Sequence, residues 1–478
     1  MKQRPLQRIS ILLCLICLVL GACSGSGGSS GSAGSHTTVT VSGPLMVDSL
    51  NPRYFADGNG KTVLLSGFEF WDVLLADGQP AREAISWETF LKASRKHSTN
   101  FIRLWVWNEL TRFRHAPDAP WYTSKEIWMR TGPGLALDEK PKFDLTKFNQ
   151  AYFDELHARV SQAAEKGFYV SVMLFEGWSL RYMEAPWNWN GHPFNPRNNI
   201  QNLNGDVDGD SLGTEVHTLQ VPEITRIQEQ YVKKVIDTLN DLDNVLFEIC
   251  NEDHEGSTAW QYHMIAYIRD YEKNHKPKQH PVWMSTQYVR SDPGVQFNTV
   301  LLDSPADCIS PNPYGGYKDD PPASDGRKII ISDSDHLCGC ILDHTWVWKS
   351  FTRGLNIVNY MELPELLDNN TKHVAARNAM GHVLQYANRI DLSSMIPSTD
   401  LSSTKYCLAN PGKEYIVYQP EAGKNFTLLL PAGRYEFEWF NPSTGRTGAK
   451  GVIETGGARE SFSSPFGGDA VLYIYMSI

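Results

Sequence analysis

The residues best placed to do chemistry in this sequence are acids that close short apolar runs. VLFEICNE (245–252) ends in Asn251 and Glu252. A carboxylate at the end of a hydrophobic strand sits in partly desolvated surroundings, which is costly unless it has a task. The pattern recurs. A run near 63–68 ends in Glu69, Phe70 and Trp71, and FIRLWVWNE (101–109) carries Arg103, Trp105 and Trp107. FYVSVMLFEGW (168–178) ends in Glu176 and Trp178, KIIISDSDH (328–336) holds Asp333 and Asp335, and GLNIVNYME (354–362) closes on Glu362. Tyr288, Asn312 and Tyr314 end two further runs, PVWMSTQY and CISPNPY. Paired acids ringed by aromatic residues are the equipment for splitting a glycosidic bond. One acid protonates the leaving oxygen while a second carboxylate attacks the anomeric carbon or activates water. Crowding drives the acids' pKa values apart so that one stays protonated. Aromatic rings stack on the C–H faces of sugars, although most will be core.

These residues lie far apart in the chain, so a fold must gather the strand ends. The spacing predicts helices over 84–96, 143–167, 222–242, 259–274, 345–353 and 371–389. In the second, Phe148, Tyr152, Leu156 and Val160 recur every four residues and Gly167 stops the run. In the third, Ile224, Ile227, Tyr231, Val235 and Leu239 form the apolar face. Eight short apolar strands, most followed by a helix, argue for a parallel sheet with crossover helices. Eight such units in about 350 residues fit an α/β fold of the (β/α)8 TIM-barrel type, whose strand ends all meet on one face. An open doubly wound sheet fits less well, because no Gly-rich phosphate loop follows the first strand. Residues 405–478 instead alternate apolar and polar between turns, which predicts a small C-terminal antiparallel β-sandwich without chemistry of its own.

VLFEICNE resembles the fourth strand of the clan A retaining glycoside hydrolases, the cellulase-like barrels. The resemblance covers roughly 50–393. It implies that Glu252 is the general acid/base and that Asn251 bonds the sugar's 2-hydroxyl. FIRLWVW is similar to the clan's second strand, which implies that Arg103 steadies the nucleophile. ISPNPY is similar to the sixth, which implies that Tyr314 faces it. The clan's nucleophile is a Glu ending strand seven. Here Asp333 stands at that place, with Asp335 two residues on and on the same side if the strand continues, so both are candidates. Asp is one methylene shorter. Carboxyl groups ~5–5.5 Å apart retain configuration, whereas ~6.5–9.5 Å admits a water and inverts it. Trp71, Trp107, Glu176, Trp178 and Tyr288 are expected to shape the sugar cleft. Glu248 is expected to point into the barrel in a structural role. VSVMLFEGW, SDSDHL and CLANPGKEYIVY also resemble an uncharacterised bacterial lipoprotein group that joins such a barrel to a collagen-binding-like module.

The remaining features bound the function. The 478 residues carry a formal net charge of -10, which argues against nucleic acid as a partner. Lys2, Arg4 and Arg8, an apolar run to Leu20 and then Leu-Gly-Ala-Cys23 form a secretory signal. Its ending resembles the bacterial lipobox and implies lipidation at Cys23. The expected layout is a signal at 1–23, a Gly/Ser-rich tether at 24–40, the barrel at 41–395 and the sandwich at 396–478. The body is then a monomer held extracytoplasmically at the cell envelope. Cys250, Cys308, Cys338, Cys340 and Cys407 form no regular framework and no zinc site, though a bridge is feasible in an oxidising compartment. No cofactor is required. NGDVDGDSLGTE (204–215) has the spacing of a twelve-residue calcium loop, with Asn204 first and no flanking helix pair. It is either a structural calcium site or an ordinary acidic surface turn. The alternative to an enzyme is a surface glycan- or matrix-binding lipoprotein on a barrel that has lost its chemistry.

Overall fold

The computed structural model describes residues 41–69, 87–105, 126–181, 186–288, 296–361 and 363–477, with the short strands Thr111–Arg112 and Trp121–Tyr122. Eight parallel strands close into a barrel: β1 (Ser66–Glu69), β2 (Phe101–Leu104), β3 (Tyr169–Glu176), β4 (Val245–Asn251), β5 (Val282–Ser285), β6 (Cys308–Ser310), β7 (Ile329–Asp333) and β8 (Asn356–Tyr360). Each pairs with the next in sequence, and β8 pairs with β1. Every residue of β3 and β4 is buried. That is why these strands read as continuous apolar runs: one face fills the barrel and the other lies under helices.

The barrel interior is apolar in its lower part. Leu65, Phe101, Tyr169, Leu246, Trp283 and Val358 pack together there, and Leu45 and Phe55 of the N-terminal hairpin join them. Nearer the carboxyl ends of the strands, Arg103 and Glu248 replace apolar side chains. The Arg103 guanidinium lies 5.5 Å from the Trp283 ring centre and 5.0 Å from that of Trp105.

The outer layer comprises α1 (Trp87–Lys96), α2 (Gln150–Glu165), α3 (Pro222–Leu239), α4 (Thr258–His275), α5 (Gln296–Asp303), α6 (Ser334–Cys338), α7 (His344–Thr352) and α8 (Thr371–Arg389). The five apolar residues expected along α3 are all buried. The helix expected over 143–167 begins later, at Gln150, because Pro141–Phe148 forms a strand against Trp128–Leu135. Phe148 nonetheless fits the helical spacing. It precedes the N-terminal Asn149 and packs edge-on against Phe153 at 5.4 Å, a hydrophobic staple across the helix start. Gly167 ends the segment at φ +81, a backbone angle that disfavours any side chain.

The C-terminal part is antiparallel. A six-stranded sheet contains Ile396–Pro397, Cys407–Asn410, Glu414–Gln419, Gly433–Asn441, Arg446–Thr455 and Ala470–Met476, and Phe426–Leu430 pairs with Ala458–Phe462. Tyr415, Val417 and Leu472 face Phe426, Leu428 and Phe462 in one core. The intervening residues Ile416, Tyr418, Phe440 and Val471 join the core that holds Trp348 and Tyr386 of α7 and α8. Both faces of the central strands are therefore covered. Cys338 and Cys340 are bonded to each other, while Cys250, Cys308 and Cys407 are buried free thiols.

Candidate active site

Arg103 organises the carboxyl end of the barrel. Its Nε and Nη2 donate to Glu248 Oε2 at 2.8 Å and Oε1 at 2.7 Å, a bidentate pair. Nη1 donates to Glu69 Oε2 at 2.5 Å, and Nη2 also donates to Asn251 Oδ1 at 2.6 Å. Asp333 Oδ2 and Asp335 Oδ2 lie 3.5 and 3.6 Å from Nη1. Burial works against the guanidinium's charge, but Glu248, Glu69 and Asp333 outweigh it and hold the group protonated. Glu248 thus points into the barrel as expected. Trp105 adds a donor to Glu69 Oε2 at 2.9 Å.

One cation cannot balance so many carboxyl groups. Asp333 is fully buried, and burial together with Glu69 pushes its carboxyl well above the usual range. The two acids hydrogen-bond each other. Asp333 Oδ2 and Glu69 Oε1 are both buried and receive no donor from another group among the described residues. Asp333 thus sits among acids with its carboxyl raised by burial and by Glu69. Asp335 is also pushed well above the usual range, by burial, then by Glu69 and Glu252. Its side chain is 15% exposed, while those of Asp333 and Arg103 are fully buried. Asp335 is therefore the more open of the two carboxyls, and both lie under the influence of Glu69.

The chain does not reach Asp335 as a continuing strand. β7 ends at Asp333, whose Oδ1 accepts from the Asp335 N–H at 2.9 Å and caps α6. The helical turn, rather than strand alternation, returns Asp335 to Arg103. His336, in the same turn, lies 2.7 Å through Nδ1 from Ser310 Oγ and 3.2 Å through Nε2 from Asn251 Oδ1. Asn251 Oδ1 can only accept, so Nε2 carries the proton and Nδ1 takes the Ser310 hydroxyl. Asn251 Nδ2 is left as a buried donor with no partner.

Strand alternation also fails in β4. Glu248 and Asn251 have opposite parity, yet both reach Arg103. Glu252 follows at φ +44, a left-handed angle costing a non-glycine residue about 1–3 kcal/mol. The next two residues are clamped. His217 Nδ1 lies 3.1 Å from Asp253 Oδ2 and its ring stacks on Trp260 at 4.4 Å, while His254 Nε2 donates to the Thr214 carbonyl at 2.9 Å. His217, Cys250 and Asp253 bring donor atoms within 4.8 Å of one another. Burial and the adjacent Asp253 and Glu176 push the Cys250 thiol well above its usual range.

Several expected residues fall elsewhere. The Tyr288 hydroxyl donates to the His336 carbonyl at 2.6 Å, so it braces α6. Tyr314 is 47% exposed on the turn after β6 and, among the described residues, bonds none of the site carboxyls. This corrects the expectation that it faces the nucleophile; a turn at 311–316 carries it outward, and His336 supplies the ring beside Asn251 instead. Glu176 is buried at the end of β3, in register with Asn251. Trp178 is half-buried at the start of the short helix Trp178–Arg181 that follows. Trp71, Trp107, Glu362 and Cys23 lie outside the described residues. Trp105 was read with its strand but given no role, and Ser310, His217 and Asp253 were not singled out from sequence. Trp105 shares strand parity with Arg103, which was the available signal; nothing local marked the other three.

Fold and site together define a (β/α)8 barrel with a carboxyl cluster at the carboxyl ends of its strands, the face where such barrels carry their active sites. A family model described as "Domain of unknown function (DUF6298)" matches residues 108–292. No curated protein sequence matches the chain. Among solved structures, the chain is similar to a glycoside hydrolase family 5 protein from Bacteroides vulgatus. That match has a TM-score of 0.59 at 13% identity and covers 91% of this chain and 93% of that one. A second structure, titled a glycoside hydrolase, has a TM-score of 0.56 at 13% identity, with 91% and 97% covered. At that identity the likeness is one of fold.

Proposed function

We propose that this protein is a glycoside hydrolase that cleaves an O-glycosidic bond of a poly- or oligosaccharide by double displacement, with Asp335 as nucleophile and Glu252 as acid/base. The reading is supported by the placing of Asp335 3.6 Å from Arg103 at the mouth of the barrel, where Glu69 and Glu252 raise its carboxyl. Asp335 attacks the anomeric carbon, and the bond electrons pass to the leaving oxygen, which takes the Glu252 proton. Water then gives a proton to Glu252, attacks the same carbon and frees Asp335, so configuration is retained. The pair needs one shared proton in its resting state, which burial and mutual repulsion favour. The unpartnered Asn251 Nδ2 is a donor for a sugar hydroxyl next to the acid. Asp333 is assigned a supporting role, buried beside Glu69 and capping α6.

The decisive experiment assays the full chain on a panel of plant and host glycans alongside Glu252→Gln and Asp335→Asn. Turnover that survives unchanged in both variants rejects the assignment. Proton NMR of the first-formed product anomer distinguishes retention from inversion. The Asp where the resemblance expects a Glu favours a second reading, a glycan-binding protein without turnover. Saturable glycan binding with no product from any substrate supports it. The proposal places the body at the cell envelope through lipidated Cys23, which is tested by loss of fatty-acid labelling in Cys23→Ser.

A further inference from the structure

We infer that the loop 204–215 is a calcium-binding site, distinct from the barrel mouth. Three observations converge on it. The sequence places Asn204, Asp206, Asp208 and Asp210 at alternate positions, Gly209 at the sixth and Glu215 at the twelfth, the spacing at which one chain wraps a hard cation. In the fold, Asp206, Asp208 and Asp210 each present an oxygen, all three within 4.8 Å of one another. Calcium binds oxygen at ~2.3–2.6 Å, so ligands on opposite sides of one ion are up to about 5 Å apart, and a single ion reaches all three. Gly209 adopts φ +78 at the sharp turn, where such loops require glycine.

Glu215 supplies the independent observation. It is 6% exposed, and its Oε1 accepts from the Val207 and Asp208 N–H groups at 2.8 and 2.9 Å, which holds the carboxyl against the middle of the loop. Its Oε2 is buried with no hydrogen-bond partner. A buried carboxylate oxygen without a donor is costly unless a cation meets it. Among the described residues, no Lys or Arg forms an ion pair with any of these four acids. In a calcium loop the twelfth residue is an acid because it closes the coordination shell. The ring of Trp189 lies beneath both ends of the loop. A Cβ on Gly213 would meet it at 2.2 Å and one on Gly205 at 3.1 Å.

The test is direct binding, which needs no turnover and so stands or falls apart from the proposed hydrolysis. The full chain, stripped with a chelator, is titrated with calcium chloride by calorimetry. One site is expected, with a dissociation constant on the order of 10⁻⁴ M and magnesium at least ~10-fold weaker. Terbium, a hard ion of similar size, should emit on excitation of Trp189 and be displaced by calcium. The double substitution Asp206→Asn, Asp208→Asn should abolish both signals. It should leave the melting temperature of the chelated protein unchanged, because these side chains lie at the surface. Absence of calcium heat and terbium emission in the unsubstituted chain up to about 10 mM overturns the inference, and so does full binding by a folded double variant.

Discussion

At the barrel mouth, five carboxyl groups crowd one guanidinium: Glu69, Glu248, Asp333 and Asp335 touch Arg103, and Glu252 helps raise the Asp335 carboxyl. Where the C-terminal sheet meets α8, a single carboxylate has two cations. Glu438 bonds Arg389, lies 3.3 Å from Lys450 and takes the Tyr386 hydroxyl. Burial pushes Glu438 upward, but Arg389 and Lys450 outweigh it and hold it below its usual range. At the mouth, burial and repulsion win, and Asp333, Asp335 and Glu248 all rise. The residue types are shared; the ratio of acids to cations differs. A carboxylate with surplus cations is fixed as a charge and serves structure. Carboxyls with too few must share protons, and movable protons are what acid–base chemistry requires.

That contrast is broken most forcefully at the pair itself. Asp335→Asn or Glu252→Gln should lower kcat/KM by about 10³-fold or more, measured on whichever glycan proves to be a substrate. On the proposed function, the unsubstituted protein should show a bell-shaped pH profile of turnover whose acid limb lies above the ordinary carboxylate range of about 4, because Asp335 must ionise against burial. Asp333→Asn should cost less activity than Asp335→Asn, since an amide still caps α6. The reverse order would move the nucleophile to Asp333.

Arg103→Met removes the cation that, among the described residues, contacts Glu69, Glu248, Asp333 and Asp335. It should destabilise the fold by about 3–5 kcal/mol in denaturant melts at neutral pH. A smaller loss would mean that the acids simply take up protons.

Asp335→Asn should at the same time stabilise the fold, on the order of 1 kcal/mol at neutral pH. The sign follows from the raised pKa. The folded state favours the protonated acid, so its stability is complete below the unfolded value of about 3.9 and is lost as pH rises through the folded value. The amide does not titrate, so its advantage should vanish at low pH and grow with pH in thermal melts.

The smallest effect is expected in the other cluster. Glu438→Gln should cost about 1 kcal/mol or less, since Arg389 and Lys450 are 44% and 70% exposed and solvent screens them. Turnover should be unchanged. A large loss of activity there would end the distinction between the two regions.

Much of this was legible in the order of residues. Uninterrupted apolar strands alternating with amphipathic helices specify a parallel sheet covered on both faces, and eight such units without a Gly-rich phosphate loop favour its closure into a barrel. Acids at the strand ends then share one face, and Arg103, Asn251 and Glu252 were readable as members. Local pattern could not decide what happens where regular structure stops. β7 ends at Asp333, and a cap and a helical turn bring Asp335 back to Arg103. β4 loses its alternation after Glu248, and Glu252 takes a left-handed angle beside the His217 clamp. Strand periodicity carries no information past the last ladder bond, so which of two acids is sealed and which is partly open beside Arg103 was decided only by tertiary contacts.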